Sequence, residues 1–216
     1  MTRVLVTGFE PFDKDTYNPS WAAAQLLQKS PPDGAEVTAV QLPCVFGESL
    51  KVLRDAVLET DPALVLSVGL SPRAGLSVER VAINVNDSPI PDNAGRQPID
   101  EPIAPDGPAA YFSTLPIKRI VSEVEKQTDV NAWVSQTAGT FVCNHVFYGL
   151  MHLLATEGRQ RRGGFVHIPH TPEMPLAVNG QVPALPVEST AQGLRVVLST
   201  ALAHETDITV SAGTTH

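Results

Sequence analysis

The chain has 216 residues, 43% of them hydrophobic and 18% charged, a balance that supports a globular protein with a substantial core and leaves no case for disorder. Its formal net charge is −8, from 23 acidic and 15 basic side chains, which argues against nucleic acid or an acidic membrane surface as partner, because counterion release needs a basic face. No apolar run approaches bilayer-spanning length, and Met1 leads directly into Arg3-Val-Leu-Val-Thr7 with no room for a leader's apolar region. With only Cys44 and Cys143 present, the expectation is a cytoplasmic protein with free thiols, a single Cys44–Cys143 disulfide being the alternative.

In chain order, Val4–Thr7 reads as a short buried strand closed by Gly8. Asn18-Pro19-Ser20 supplies an N-cap and a first-turn proline for a helix over Pro19–Gln28, stopped by Pro31-Pro32. Val37–Leu42 alternates like a strand, and Val45–Glu59 reads as a helix with Leu50, Leu53, Ala56, Val57 and Leu58 as its apolar residues. Leu64–Val68 is a continuous apolar strand ending at Gly69, and Val78–Val85 is a further extended segment. A proline-rich stretch from Asn86 to Pro108 promises little regular structure. Ile117–Lys126 is amphipathic, with Ile117, Ile120, Val121 and Val124 on one side. Then come a strand over Ala132–Ser135, a helix from Cys143 to about Leu154, a strand over Gly163–His170, a second proline-rich loop from Pro169 to Pro186, and a closing helix over Ala191–His204. The only basic cluster, Arg159-Gln-Arg161-Arg162, reads as a solvated loop. This alternation predicts one α/β domain over residues 1–216, with an open, twisted, mostly parallel sheet covered by helices on both faces. The two proline-rich loops are too long for simple connections and are expected to shape a site or an interface.

The chemistry concentrates around Cys143. The loop Ala138-Gly139-Thr140 delivers its thiol to the first turn of an apolar helix, where free N–H groups and the macrodipole favour a thiolate. His167 rides to the C-terminal end of a strand, where open α/β sheets place their chemistry, and a cysteine with a histidine is the minimum kit for thiol catalysis. The same residues also fit a buried small hydrophobe and a structural histidine. Glu79 is the candidate third member that would orient the imidazole; a surface charge paired with Arg80 fits equally. Phe9 and Phe12, on a turn through Pro11, and Phe141 can wall a pocket for a small flat group, or can be core rings. Two rivals stand beside thiol catalysis: a non-catalytic α/β binding protein that keeps the scaffold without turnover, and a metal-dependent hydrolase with zinc ligands from Cys143, His145, His167 and His170. Pro169 spoils a helical ligand pair there and no His-Glu-x-x-His motif exists, so no metal or other cofactor is expected.

Several segments together carry a resemblance: Phe9-Glu-Pro-Phe12 with Asn18-Pro-Ser20, Glu79-Arg-Val-Ala-Ile-Asn84, Ile90-Pro-Asp-Asn93, Gly107-Pro-Ala-Ala-Tyr111, Leu115-Pro-Ile-Lys118, Ala138-Gly-Thr-Phe-Val-Cys-Asn-His145 and Gly164-Phe-Val-His-Ile-Pro169. In order and extent they resemble pyroglutamyl peptidase type I, the pyrrolidone-carboxylate peptidases. The resemblance implies an α/β/α sandwich with a mixed sheet and a cytosolic cysteine exopeptidase that removes N-terminal pyroglutamate from small peptides. It also implies a homotetramer. By motif position, the family's catalytic Cys, His and Glu fall on Cys143, His167 and Glu79. Its substrate-binding residues fall on Phe9, Phe12 and Phe141, with Val142 and Ile90 as further wall and backbone bonds to the lactam at Val142 and Leu70. Two departures stand out. Pro89 occupies a position where the family often has arginine, which implies more reliance on backbone N–H groups, and Cys44 replaces a frequent threonine.

Overall fold

The computed structural model describes residues 1–213, so the last three positions of the domain read over 1–216 lie outside it. The elements are β1 (Thr2–Phe9), α1 (Pro19–Lys29), β2 (Ala35–Leu42), α2 (Glu48–Thr60), β3 (Leu64–Leu70), β4 (Leu76–Glu79), β5 (Val81–Ile83) and β6 (Ala110–Phe112). They continue with α3 (Ile117–Gln127), β7 (Ala132–Ser135), α4 (Val142–Thr156), β8 (Arg162–Ile168), α5 (Pro175–Val178) and α6 (Val187–Ala203).

Six strands form one mixed sheet in the order β2-β1-β3-β8-β4-β7. The run from β2 to β8 is parallel, whereas β4 pairs antiparallel with β8 and parallel with β7. Period-two alternation sends Val4, Val6, Leu64, Leu66, Val68, Val166 and Ile168 to a face covered by α1, α3 and α6. Leu5, Val65 and Phe165 point to the other face, under α2 and α4. Burial on both faces explains why these strands read as unbroken apolar runs. The expected α/β sandwich is what forms.

Four local readings need correction. Helix α2 begins at Glu48 rather than Val45, because Gly47 sits at its N-cap with a left-handed φ of 81°. The extended segment over 78–85 is two strands, and the second, β5, leaves the main sheet to pair antiparallel with β6. Helix α6 starts at Val187, immediately after Pro186, and the second proline-rich loop contains the short α5.

The proline-rich 86–108 segment is held by one antiparallel bridge between Asn86 and Glu101, by scattered turn bonds and by side chains. Asn84 accepts from the Ile103 and Ala104 N–H groups and donates to the Ala104 and Gly107 carbonyls. Such saturation of one half-buried amide adds to the sparse backbone pairing. At α1, Asn18 caps the Ser20 N–H at 3.0 Å and donates to the Glu10 carbonyl, while the Ser20 hydroxyl accepts from Phe9 N–H. The Asn-Pro-Ser motif therefore both starts a helix and fixes the turn through Phe9 and Glu10.

Candidate active site

Cys143 is the second residue of α4, and no side chain caps that helix, so the amides of its first turn face outward. Two features bring the thiol to the sheet. Gly139, at φ 79°, turns the approaching loop. Gly69 leaves room at the end of β3: a methyl there would come within 2.9 Å of Cys143 Sγ and 2.7 Å of the Phe165 ring. Asn144 holds the helix start from the other side, accepting from Ile83 N–H and donating to the Ile83 and Val85 carbonyls.

His167 and Phe165 point to the α4 face of the sheet, with ring centroids 4.9 Å apart. Antiparallel register places Ser77 of β4 opposite His167, so Glu79 lies diagonally across on the same face. Its Oε1 accepts from His167 Nδ1 at 2.7 Å. Glu79 is 0% exposed and His167 5%, so the pair is dry. The surface-charge reading of Glu79 fails, and Arg80 turns away to the Ala212 carbonyl. Arg73 reaches Glu79 Oε1 at 3.3 Å and Ser135 Oγ at 2.8 Å, a contact with no signal in the sequence.

Burial alone would push the His167 imidazole down. The neighbouring Cys143, by charge and hydrogen bond, and then Glu79 outweigh it, and the ring is raised to about 9. At neutral pH this histidine holds its proton beside the thiol.

The thiol opens into a cleft of about 430 Å³, and Phe9, Phe12, Phe141, Val142, Leu70 and Ile90 all line it with Cys143. Phe12 packs edge-on to Phe141 at 5.4 Å, and Phe141 packs edge-on to Phe46 at the same separation. Ile90 is 47% exposed and forms the rim. Phe46 props Phe141, and Asp15, Asn18, Ser71, Pro72, His170 and Leu176 complete the cleft, a placement for which the sequence carries no local signal. Hollows of about 670 and 740 Å³ exist elsewhere but contain none of Cys143, His167 and Glu79, so the convergence of chemistry, not size, selects the site.

A family model described as pyroglutamyl peptidase matches residues 2–204. The chain belongs to the pyroglutamyl peptidase family. It is 57% identical to the pyrrolidone-carboxylate peptidase of Streptomyces coelicolor over 219 aligned positions that cover all of both chains. The crystal structure of pyroglutamyl peptidase I from Bacillus amyloliquefaciens superposes with a TM-score of 0.92 at 45% identity, covering 96% of this chain and 100% of that one. A variant of the Pyrococcus furiosus pyrrolidone carboxyl peptidase gives a TM-score of 0.89 at 38% identity, covering 94% and 99%.

In this pyroglutamyl peptidase family member the segments holding Phe9–Phe12, Asn18, Ile90 and Phe141–Cys143 meet around the cleft, whereas Tyr111 packs on Tyr148 and His152, and Leu115 and Ile117 pack in the core on the other face of the sheet. Glu10 accepts from Cys44 N–H at 3.0 Å and Asn93 Nδ2 at 2.8 Å, and Asp92 accepts from Phe46 N–H at 2.9 Å. Thr140, before the thiol, donates to the Asp87 carbonyl at 2.7 Å and accepts through its own carbonyl from Asp87 N–H. Both cysteines are free thiols; Cys44 lines the cleft but is mostly enclosed, and burial followed by the neighbouring Cys143, Glu10 and Asp92 charges pushes its thiol strongly up. Among the described residues, no three His, Cys, Asp or Glu side chains converge as metal ligands, and no helix is long and apolar enough to cross a membrane.

His145 serves the scaffold. Its Nε2 accepts from Gly47 N–H at 3.0 Å, so Nδ1 carries the proton and donates to Asn86 Oδ1 at 3.0 Å. Burial, aided by Arg96 and opposed by Asp92, lowers it to about 4. A depressed folded value below an unfolded one near 6.5 means that the unfolded chain binds the extra proton first. The stabilisation is complete above pH 6.5 and is lost as pH falls to 4, on the order of 3 kcal/mol in all. Urea unfolding of wild type and His145→Gln at pH 7 and pH 4.5 should show the gap in stability closing at the lower pH; an unchanged gap refutes this role.

Proposed function

We propose that the chain is a cysteine exopeptidase that hydrolyses the bond after an N-terminal pyroglutamyl residue. The observation that carries this reading is a thiol lining a phenylalanine-walled cleft, with a buried imidazole and then a buried carboxylate in line behind it. Cys143 Sγ, its proton already on His167, attacks as the thiolate the carbonyl joining pyroglutamate to the next residue and forms a C–S bond. The His167 imidazolium gives its proton to the departing amine as the C–N bond breaks. Water then attacks the thioester while His167 takes one of its protons, releasing pyroglutamate and restoring the thiol pair. Glu79 holds the imidazole through Nδ1. The uncapped amides at the start of α4, including that of Cys143, meet the developing oxyanion; one such donor is worth roughly 10²–10³ in rate. Pro89 brings no guanidinium to this task.

The cleft suits the substrate. A pyroglutamyl ring carries no charge, so stacking between Phe9, Phe12 and Phe141 with backbone bonds at Val142 and Leu70 is sufficient recognition. A prolyl ring lacks the lactam carbonyl and leaves a buried donor unpaired, a defect that discriminates strongly. This reading includes one domain, no cofactor, a cytoplasmic location, and assembly as a homotetramer, for which exposed Phe112, Leu176 and Val178 supply apolar surface.

The test is release of a fluorescent amine from pyroglutamyl and prolyl amides. Turnover of the pyroglutamyl amide at least ~100-fold above the prolyl one is expected. Failure of freshly reduced, folded protein to turn over the pyroglutamyl amide refutes the activity.

A further inference from the structure

Arg73 sits on the loop after β3 whose preceding residues, Leu70, Ser71 and Pro72, line the cleft. Its Nη1 donates to Ser135 Oγ at 2.8 Å and to Glu79 Oε1 at 3.3 Å, and its Nη2 to the Thr137 carbonyl at 3.4 Å. Ser135 is the register partner of Glu79 on β7, and Thr137 lies in the loop that delivers Cys143. We propose that Arg73 is a positioning residue for the reaction, locking the acid, the imidazole it orients and the thiol-bearing loop into one unit. This rests on the peptidase reading above and adds a residue to it.

The argument is one of charge compensation. Glu79 is fully buried, and its Oε2 has no hydrogen-bond partner among the described residues, so both contacts fall on Oε1. The charged groups facing that carboxylate are the His167 imidazole from β8 and the Arg73 guanidinium from the loop. Cys143 of α4 lies beyond the imidazole, β7 offers only Ser135, and Arg80 points elsewhere. The Arg73 side chain is 36% exposed while its partner is 0% exposed. An exposed ion pair contributes little, but removing one member from a buried acid leaves that acid uncompensated. Without the guanidinium, the buried carboxylate keeps the imidazole as its only charged partner and loses its tie to Ser135 and to the thiol-bearing loop.

Arg73→Gln should therefore lower kcat about 10–100-fold, the usual scale for a residue that orients a reacting group, with KM changed less than ~3-fold. Arg73→Lys, which keeps the charge, should recover to within ~5-fold of wild type. The alkylation rate of Cys143 by iodoacetamide, read without substrate, should fall in Arg73→Gln and recover in Arg73→Lys. If Arg73→Gln does not fold, Ser135→Ala, which removes the anchor of the guanidinium, should give a smaller loss of the same kind. An unchanged kcat in Arg73→Gln, a loss carried by KM, or no recovery in Arg73→Lys overturns the proposal. If wild type cleaves no pyroglutamyl amide yet alkylation still falls in Arg73→Gln, the peptidase reading fails and the positioning role stands.

Discussion

Cys143→Ala should lower kcat/KM for a pyroglutamyl amide by about 10⁴-fold or more, the scale seen when a nucleophile acting as part of a unit is removed. Every other part of the site would persist in the variant: the phenylalanine cleft, the uncapped amides of α4 and the His167–Glu79 pair. Only the sulfur proposed to form the thioester is lost, from a partly exposed position. Binding should survive, so pyroglutamate itself should still protect Phe141 and its neighbours from solvent exchange. Iodoacetamide offers an independent check. Cys44 faces the same cleft, but its enclosure and strongly raised thiol make it a poor competitor. Mass spectrometry of inactivated wild type should find one label, on Cys143. Labelling of Cys44 in step with inactivation, or retention of more than ~1% activity by Cys143→Ala, would remove Cys143 from the reaction.

Glu79→Gln is expected to cost about 10³-fold in kcat, comparable to losses seen when the acid behind a catalytic histidine becomes an amide. The isosteric amide fits the space but lacks the charge, and its NH₂ can face Nδ1 and impose the wrong tautomer. The pH profile distinguishes this from simple damage. In wild type the imidazole is raised to about 9 by Cys143 and Glu79 against the opposing effect of burial. Activity that needs the imidazolium should thus persist through neutrality and fall as pH passes about 9. Without the Glu79 charge and hydrogen bond, burial is less opposed and the alkaline fall should move to lower pH. Stability follows the same sign. A folded value above the unfolded 6.5 contributes stabilisation that is full below pH 6.5 and disappears as pH rises through about 9, and this slope should flatten in the variant. A variant with the wild-type alkaline limb and slope would show that Glu79 does not act through His167.

Much of this protein was legible because local physics governs it. Strands β1, β3 and β8 are apolar runs because both faces of the sheet are covered, and α1 announces itself through Asn18-Pro19. Cys143 stands out because a small-residue loop enters an apolar helix, a pattern that local turn and capping chemistry dictates. Side-chain alternation even assigns His167 and Phe165 to the α4 face. The start of α2 was misplaced because the apolar pattern continues through Val45 and Phe46, while the left-handed backbone at Gly47 sets the boundary.

Local sequence specifies the chemical groups and the elements that carry them: thiol on a helix start, imidazole on a strand end, aromatic rings on loops. Tertiary structure alone decided which groups meet. Glu79 became a buried partner of His167, and not a surface charge, only because β4 inserts antiparallel beside β8 in a register that sets Ser77 against His167. Arg73, Phe46 and Asn93 acquired roles only through partners 46 or more positions away in the chain, apart from the Arg73–Glu79 contact itself. The physical reason is that periodicity and capping are set by neighbours within a few residues, whereas strand register and the compensation of a buried charge depend on how distant segments share one dry interior.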